Sequence, residues 1–243
     1  MTRRDAAALF IGAHPDDCEL LAGALIARLA DAGHRVVLAD ATAGEMGTRG
    51  TPQERALEAA EAARILGAER VCLGLPDGRI AHDRAESVRA IVHAIRQHRP
   101  RLVFTHSPGD HHPDHNALSA FVKEACFLAN AGRYDTGQER HRVERYFYFW
   151  GHRDLPPANL AFIADATPYW DRKLDSVRAH RSQVHTPGYD GPATTLSDGG
   201  FWQRLEARFA YFGSLVGVRY GEPFTADQAL RVDDPLALPG AGA

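Results

Sequence analysis

The sequence lacks any apolar run close to the roughly 20 residues that a membrane-spanning helix needs, so we do not expect an integral membrane protein. Cysteine is scarce, because Cys18, Cys72 and Cys126 are its only examples and form no CxxC pair. That scarcity argues against a disulfide framework or a cysteine-based zinc knuckle, and it makes a reducing cytoplasm the expected compartment. The apolar run 6–12 is too short for a signal peptide.

An excess of one charge sign is also missing. The formal net charge is -3 and the isoelectric point is about 6.5, which gives no bulk attraction to nucleic acid or to an anionic membrane. With 243 residues, of which 44% are hydrophobic, the chain can bury one sizeable core. We therefore expect a single domain over 1–243, with a mobile tail at 239–243.

The first two thirds of the chain alternate between strand and helix patterns. Short apolar runs predict buried strands at 7–11, 35–41, 70–75 and 102–105. Helical spacing predicts helices at 19–32, 83–99 and 116–129, and a fourth that Thr51 and Pro52 open and Gly67 closes. This order is typical of a mostly parallel, doubly wound α/β sheet with helices on both faces. Further strands are expected at 145–150 and 160–163, and further helices at 167–182 and 198–214.

Two polar clusters directly follow predicted strands. His14, Asp16 and Asp17 follow the first strand, and four of the 13 histidines lie between His106 and His115, after the fourth strand. Ligands of open α/β sheets bind outside the carboxyl ends of the strands. The two loops are therefore expected to converge on one edge of the sheet.

His14, Asp17 and His115 are the predicted metal ligands. A catalytic zinc uses three nitrogen or oxygen ligands and leaves one position for water. His14 and Asp17 lie on one proline-bearing turn, and His115 opens the helix after the fourth strand. The same ligands would also accept Fe²⁺, Co²⁺ or Mn²⁺. The sequence thus predicts a divalent metal site with zinc as the first choice.

Three neighbouring residues have predicted catalytic roles. Zinc would lower the pKa of its water toward about 7 and polarise a carbonyl. Asp16 could take the proton of that water. His112 could stabilise the oxyanion as an imidazolium or protonate the leaving amine. Asp114 could hold His112 in the right tautomer and favour its charged form.

Each of these side chains also has a structural alternative. His14 could cap a turn, and Asp16 or Asp17 could simply cap the following helix, a common use of aspartate. Both clusters at the ends of two parallel strands favour the functional interpretation. His106 and His111 are left outside the predicted site, since structural or surface roles explain them equally well.

The residues at 14–17, His-Pro-Asp-Asp, and at 112–115, His-Pro-Asp-His, resemble the two signature motifs of the PIG-L/LmbE-like zinc deacetylases. That family removes the acetyl group from N-acetylglucosaminyl compounds on a Rossmann-like fold. The resemblance implies the same roles as those given above: the three metal ligands, Asp16 as the base and His112 as the histidine that stabilises the oxyanion. It also implies an amino-sugar substrate and a homo-oligomer, either a trimer or a hexamer.

Further segments are similar to the bacillithiol-biosynthesis branch of the family, which deacetylates N-acetylglucosaminyl-L-malate. They are 44–51 with 54–55 and 58–59, then 75–78, 180–183, 220–224 and 232–235. Arg49 and Arg55 are candidate contacts for sugar hydroxyls or a malate carboxylate, because guanidinium binds carboxylate through two hydrogen bonds. A solvated helix face is the alternative for Arg55. Glu45 could bind a sugar hydroxyl or brace its loop, and His111 departs from the basic residue usual there.

Two alternative functions remain at this point. The first keeps the chemistry and changes the substrate, to another amino sugar, an antibiotic intermediate or the amide of a thiol conjugate. The second is a nucleotide-binding or regulatory module without catalysis. That second interpretation expects a glycine-rich phosphate loop after the first strand, where 12–16 instead carries a proline and acidic side chains.

Overall fold

The computed structural model describes residues 5–151 and 159–234. They form a seven-stranded sheet in the order β3-β2-β1-β4-β5-β7-β6. The strands are β1 (Ala8–Gly12), β2 (Val36–Asp40), β3 (Glu69–Cys72), β4 (Leu102–His106), β5 (Arg145–Phe149), β6 (Leu160–Asp165) and β7 (Gly221–Thr225). The helices are α1 (Asp17–Asp31), α2 (Pro52–Leu66), α3 (Arg84–His98), α4 (Pro113–Ala129), α5 (Trp170–Ala179), preceded by the 3₁₀ turn Thr167–Tyr169, and α6 (Phe201–Ser214).

Strands β1 to β5 run parallel, and β7 is antiparallel to both of its neighbours. The expected α/β class and the mostly parallel sheet are therefore confirmed. Along β1, alternate side chains enter two cores on opposite faces. Phe10 packs in the core under α1, α2, α5 and α6, while Leu9 and Ile11 pack in the core under α3 and α4. Each fully buried side chain of this size contributes about 1.5–3 kcal/mol.

The predicted boundaries of α2 are confirmed by its caps. The Thr51 hydroxyl accepts a hydrogen bond from the Glu54 N–H at 3.1 Å, and Pro52 occupies the first turn. Gly67 ends the helix at a φ of 74°, in the left-handed region that glycine adopts without strain. Helix α3 is capped in the same way at its start, where the Asp83 carboxylate accepts from the Glu86 N–H.

Several other boundaries differ from the prediction. Helix α4 begins at Pro113, so His115 lies in its first turn, and α1 begins at Asp17. Strand β3 ends at Cys72, and beyond it the N–H groups of Leu73 and Leu75 still donate to the carbonyls of Asp40 and Ala41 at 2.8 Å, on either side of Gly74 with its φ of 72°. Both late helices are shorter than expected, spanning 170–179 and 201–214.

Strand β7 was not predicted. Its sequence, Gly-Glu-Pro-Phe-Thr, has no apolar alternation and contains two residues that strands usually avoid. It is nevertheless inserted between β5 and β6, where the fully buried Phe224 stacks on Phe162 with centroids 4.9 Å apart. Tertiary packing thus overrides the local pattern. The tail 239–243 lies outside the described residues, and no helix within them has the length and apolarity to cross a membrane.

Candidate active site

The loops after β1 and β4 meet at the carboxyl edge of the sheet, as predicted. The Ala13 N–H donates to Nε2 of His106, the last residue of β4, at 3.1 Å. Gly12 permits the close approach of the following helix, since a Cβ there would lie 2.9 Å from Cβ of Asp17. A cavity of about 420 Å³ opens at this place, and its lining includes His14, Asp16, Asp17, Arg55, His112 and His115.

Asp17 lies between the two predicted histidine ligands, close to a ring nitrogen of each. Asp17 Oδ2 lies 3.6 Å from His14 Nδ1, and Asp17 Oδ1 lies 3.5 Å from His115 Nε2. Tetrahedral zinc with bonds of about 2.0–2.1 Å separates its ligand atoms by roughly 3.4 Å. The donor types fit a divalent metal and each aspartate–histidine pair is close to that spacing, although these three residues are not one of the sets whose ligand atoms all lie within 4.8 Å of one another.

Outer carboxylates lie against both predicted histidine ligands. Asp77 Oδ1 lies 3.1 Å from His14 Nε2, and Asp110 Oδ2 lies 3.0 Å from His115 Nδ1. A carboxylate on the far ring nitrogen fixes the tautomer and makes the near nitrogen a better metal ligand. Neither aspartate was predicted to hold a ligand. Asp77 belongs to a segment that the sequence does not show to be a neighbour of His14, and Asp110 lies in the same loop as His115, five residues before it, where only the folded loop shows which ring nitrogen it faces.

Other histidines crowd the same centre. The His106 ring stacks on the His115 ring with centroids 3.7 Å apart, and the His112 ring lies 4.6 Å from that of His115. Three overlapping groups have ligand atoms close enough to share a metal: His14, His112 and His115; Asp17, His106 and His115; His14, Asp77 and Asp114. The site is therefore a His/Asp cluster in which His106, left out of the prediction, takes part.

Asp16 combines backbone strain with burial. Its φ of 125° is unusual for a residue other than glycine and costs about 1–3 kcal/mol. Burial raises the pKa of its carboxyl to about 6, with Arg55 opposing the rise and the charge of Asp17 adding to it. A carboxylate with a raised pKa, facing a cavity, is suited to accept a proton.

Arg55 holds this strained turn in place. Its guanidinium donates to the Pro15 carbonyl at 2.8 Å and to the Gly44 carbonyl at 3.1 Å, and it lies 3.8 Å from Asp16 Oδ2. Gly44 must lack a side chain, since a Cβ there would lie 2.1 Å from Nη1 of Arg55. The side chain is buried, so the alternative of a solvated helix face is wrong.

His112 is held in one tautomer by the main chain of Asp114. Its Nδ1 accepts from the Asp114 N–H at 3.2 Å, which leaves a proton on Nε2 when the ring is neutral. Burial lowers the pKa of His112, and the charges of His14 and His115 lower it further. The Asp114 carboxylate, expected on His112, instead accepts from the Gly78 N–H at 2.7 Å and lies 3.6 Å from His14 Nε2.

Among the predicted ligands, Asp17 has the negative charge that metal binding needs. Burial alone would raise the pKa of Asp17, but the charge of His115 and a side-chain hydrogen bond from His14 hold it well below its usual range. Asp17 is therefore an anion at neutral pH. Burial lowers the pKa of His106 to about 4, so this ring is neutral.

Glu45 and Arg49, two predicted substrate contacts, brace loops. Glu45 Oε1 accepts from the Asp77 N–H at 2.8 Å. Arg49 donates to the carbonyls of Ser182 and Pro192 at 2.7 and 3.1 Å. Their role as substrate contacts stays a prediction, whereas Arg55 lines the cavity.

Comparison with known proteins identifies relatives over most of the chain. The PIG-L family model, described as GlcNAc-PI de-N-acetylase, matches residues 9–126. The 1D-myo-inositol 2-acetamido-2-deoxy-alpha-D-glucopyranoside deacetylase of Segniliparus rotundus is 34% identical over 73% of this chain and 77% of that protein. The diacetylchitobiose deacetylase of Thermococcus kodakarensis is 29% identical over 88% of this chain and 80% of that protein.

A solved structure extends the match to the whole fold. The crystal structure of the conserved protein TT1542 from Thermus thermophilus is similar with a TM-score of 0.85 and 36% identity, covering 96% of this chain and all of that one. Both loops of the His/Asp cluster fall within the family match. The relatives named above are deacetylases, which confirms the expected class of hydrolase. The chain belongs to the PIG-L family of GlcNAc-PI de-N-acetylases.

Proposed function

We propose that the protein is a metal-dependent hydrolase that removes the acetyl group from an N-acetylglucosaminyl compound. One observation carries the proposal: the buried carboxyl of Asp16, with a pKa raised to about 6, faces the same cavity as Asp17, whose carboxylate lies 3.6 Å from a nitrogen of His14 and 3.5 Å from a nitrogen of His115. A proton acceptor beside a Lewis-acid site is what amide hydrolysis by water requires.

His14, Asp17 and His115 would hold the metal, and zinc is the ion we propose. A divalent metal bound there supplies Lewis acidity that activates water and polarises an acyl carbonyl. Fe²⁺ suits the same nitrogen and oxygen donors, so metal analysis of the purified protein decides between the two ions.

The protein's own groups perform the proton transfers. Asp16 takes a proton from the attacking water, whose oxygen bonds to the acetamide carbon. The Nε2–H of His112 donates a hydrogen bond to the carbonyl oxygen as negative charge develops on it. Asp16 then returns the proton to the departing nitrogen, the C–N bond breaks, and the products are a free amine and acetic acid, which loses its remaining proton to give acetate at neutral pH. Arg55 keeps Asp16 in position through the Pro15 carbonyl.

The substrate's aglycone is the finer part of the proposal. N-acetylglucosaminyl-L-malate, the bacillithiol precursor, is the first substrate to test, because segments along the whole chain resemble that branch. The relatives carry the names of an inositol-glycoside deacetylase and a diacetylchitobiose deacetylase, so these two glycosides belong in the same panel. Glu45, Arg49 and Arg55 are the proposed determinants of the choice.

Acetate release from these three glycosides and from free N-acetylglucosamine tests the proposal. We expect the zinc-loaded protein to release one acetate per amino sugar, with the highest kcat/KM on the malate glycoside. A higher kcat/KM on another glycoside would instead make that glycoside the proposed substrate. Hydrolysis of thiol-conjugate amides without any release of acetate would favour the amidase alternative instead. If acetate were released from none of the three glycosides or from free N-acetylglucosamine, that result would contradict the proposed function.

Three further features belong to the proposal. We expect one domain, a cytoplasmic enzyme and a homo-oligomer, either a trimer or a hexamer. Light scattering on the purified protein measures its oligomeric state, and a monomer would contradict the expected homo-oligomer. Cys18, Cys72 and Cys126 carry free thiols, which is compatible with a reducing compartment.

A further inference from the structure

Helix α1, which begins with the proposed metal ligand Asp17, is broken at Ala22. That residue has φ and ψ of -141° and 15°, far from helical values. A break leaves a carbonyl before it and N–H groups after it without helical partners, as at a helix end. The residues from Leu20 to Ala24 are buried and Leu25 is partly buried, so these groups need other partners.

A buried ion pair supplies those partners on both sides of the break. Lys173 of α5 and Glu222 of β7 are fully buried, with Nζ and Oε1 2.7 Å apart. Nζ of Lys173 also donates to the carbonyl of Leu20 at 2.9 Å. The two oxygens of Glu222 accept from the N–H groups of Ala24 and Leu25 at 2.9 and 2.8 Å.

The surroundings of the pair fit it closely. Nζ of Lys173 lies 3.9 Å from the centroid of the Phe209 ring, a cation–π contact. Gly23 leaves room for the lysine, because a Cβ there would lie 3.0 Å from its Cγ. Glu222 lies in the segment 220–224 that the sequence singled out and that the proposed reaction does not use.

The segment that the pair holds leads directly into the site. The Leu20 N–H donates to the Asp16 carbonyl at 3.0 Å, and Leu20 lines the cavity. The first part of α1, from Asp17 to the break, is therefore fixed at one end by the ion pair. At its other end it joins the strained backbone of Asp16, with its φ of 125°. A break free to straighten would let the strained turn relax and move the Asp17 carboxylate.

We propose that Lys173 and Glu222 are positioning residues, which hold the break in α1 and thereby place Asp17 and Asp16 for metal binding and proton transfer. This inference rests on the proposed function, since it assigns the pair a role toward that metal. Outer residues that orient ligands typically change metal affinity by about 10–100-fold when they are replaced.

The test measures the zinc Kd of metal-free full-length protein by competition with a chromogenic chelator. The variants are Glu222→Gln, Lys173→Met and Gly23→Ala, the last of which keeps both charges and crowds only the lysine stem. We expect the Kd to rise about 10–100-fold in the first two variants and to rise less in Gly23→Ala. On an N-acetylglucosaminyl substrate at saturating zinc, kcat should fall while KM changes little.

Arg172→Met is the matched control. Arg172 precedes Lys173 in α5 and also pairs with α1, through Asp31 at 2.7 Å, but the pair is exposed and lies at the far end of that helix. Its zinc Kd should equal that of the wild type. Wild-type zinc affinity in folded Glu222→Gln and Gly23→Ala, with loss of thermal stability alone, would overturn the positioning role. A wild-type protein that neither binds zinc nor releases acetate would overturn the proposed function together with it.

Discussion

At the scale of single residues, the surroundings of the adjacent carboxyl groups of Asp16 and Asp17 shift their pKa values in opposite directions. Burial raises the pKa of Asp16 to about 6, whereas the charge of His115 and a hydrogen bond from His14 outweigh burial at Asp17 and hold its pKa well below the usual range. Paired titratable groups pushed apart in this way commonly have different roles. Asp17 is suited to remain an anionic ligand, and Asp16 is suited to exchange a proton.

His112 gives the first prediction. His112→Ala removes the proposed donor to the carbonyl oxygen, so kcat should fall about 10²–10³-fold, as it does when an oxyanion donor is removed. Zinc affinity should stay close to that of the wild type, because His112 is not among the proposed ligands. Steady-state kinetics and a zinc titration measure the two effects. A large loss of zinc affinity would instead make His112 a ligand, together with His14 and His115.

Asp110 gives the second prediction. Asp110→Asn removes the negative charge 3.0 Å from Nδ1 of His115, so the zinc Kd should rise about 10–100-fold. Asp175→Asn is the control, because Asp175 is exposed and pairs with Arg178 on the surface of α5. Equal zinc affinities in the two variants would show that Asp110 does not orient the ligand.

The sequence brings out the candidate ligands and the candidate base, which the fold places around one cavity, but not the carboxylates that lie against the histidine rings. His14, Asp17 and His115 stand in two short motifs after strands, where the sheet brings loops together. Asp77 reaches a ring nitrogen of His14 only through the tertiary fold, and Asp110 reaches His115 through the conformation of their shared loop, which the sequence does not specify.

At the scale of elements, predictions succeed where a local signal exists. Helix α2 begins and ends at its predicted caps, since a Thr-Pro start and a glycine end determine the local backbone. Strand β7 has no such signal. Its place in the sheet comes from burial of Phe224 and from hydrogen bonds with β5 and β6, which only the folded chain supplies.

The third prediction concerns the insertion of β7. Phe224 is fully buried and contacts the rings of Phe104 and Phe162. Phe224→Ala should therefore lower the free energy of unfolding by about 3–5 kcal/mol, the usual cost of such a cavity. Urea denaturation measures it, with Leu57→Ala as the control, because Leu57 is 75% exposed. A change in Phe224→Ala no larger than that of the control would contradict the core position of this strand.

At the scale of the whole molecule, the fold class follows from the strand–helix alternation, and the site lies where such a sheet binds ligands. The proposed metal would join the loop after β1 to the loop after β4, through Asp17 and His115. A ligand that binds only the folded state stabilises it by mass action.

The fourth prediction follows from that linkage. Zinc at a free concentration a hundredfold above its Kd should stabilise the protein by about 2.7 kcal/mol, which corresponds to a rise in Tm of about 5–10 °C over the chelated protein. Differential scanning fluorimetry with and without EDTA measures the shift. His115→Ala should lose most of it. An identical shift in that variant would mean that zinc stabilises the protein from another place.

The most direct test of the central claim joins metal content and turnover in one preparation of Asp16→Asn. The variant should retain zinc at the wild-type stoichiometry, because Asp16 is not a proposed ligand. Its release of acetate from an N-acetylglucosaminyl substrate should fall by about 10²–10⁴-fold, the usual contribution of a general base. Full activity in the zinc-loaded variant would contradict the assignment of Asp16 as the base, and loss of zinc would contradict the division between base and ligands.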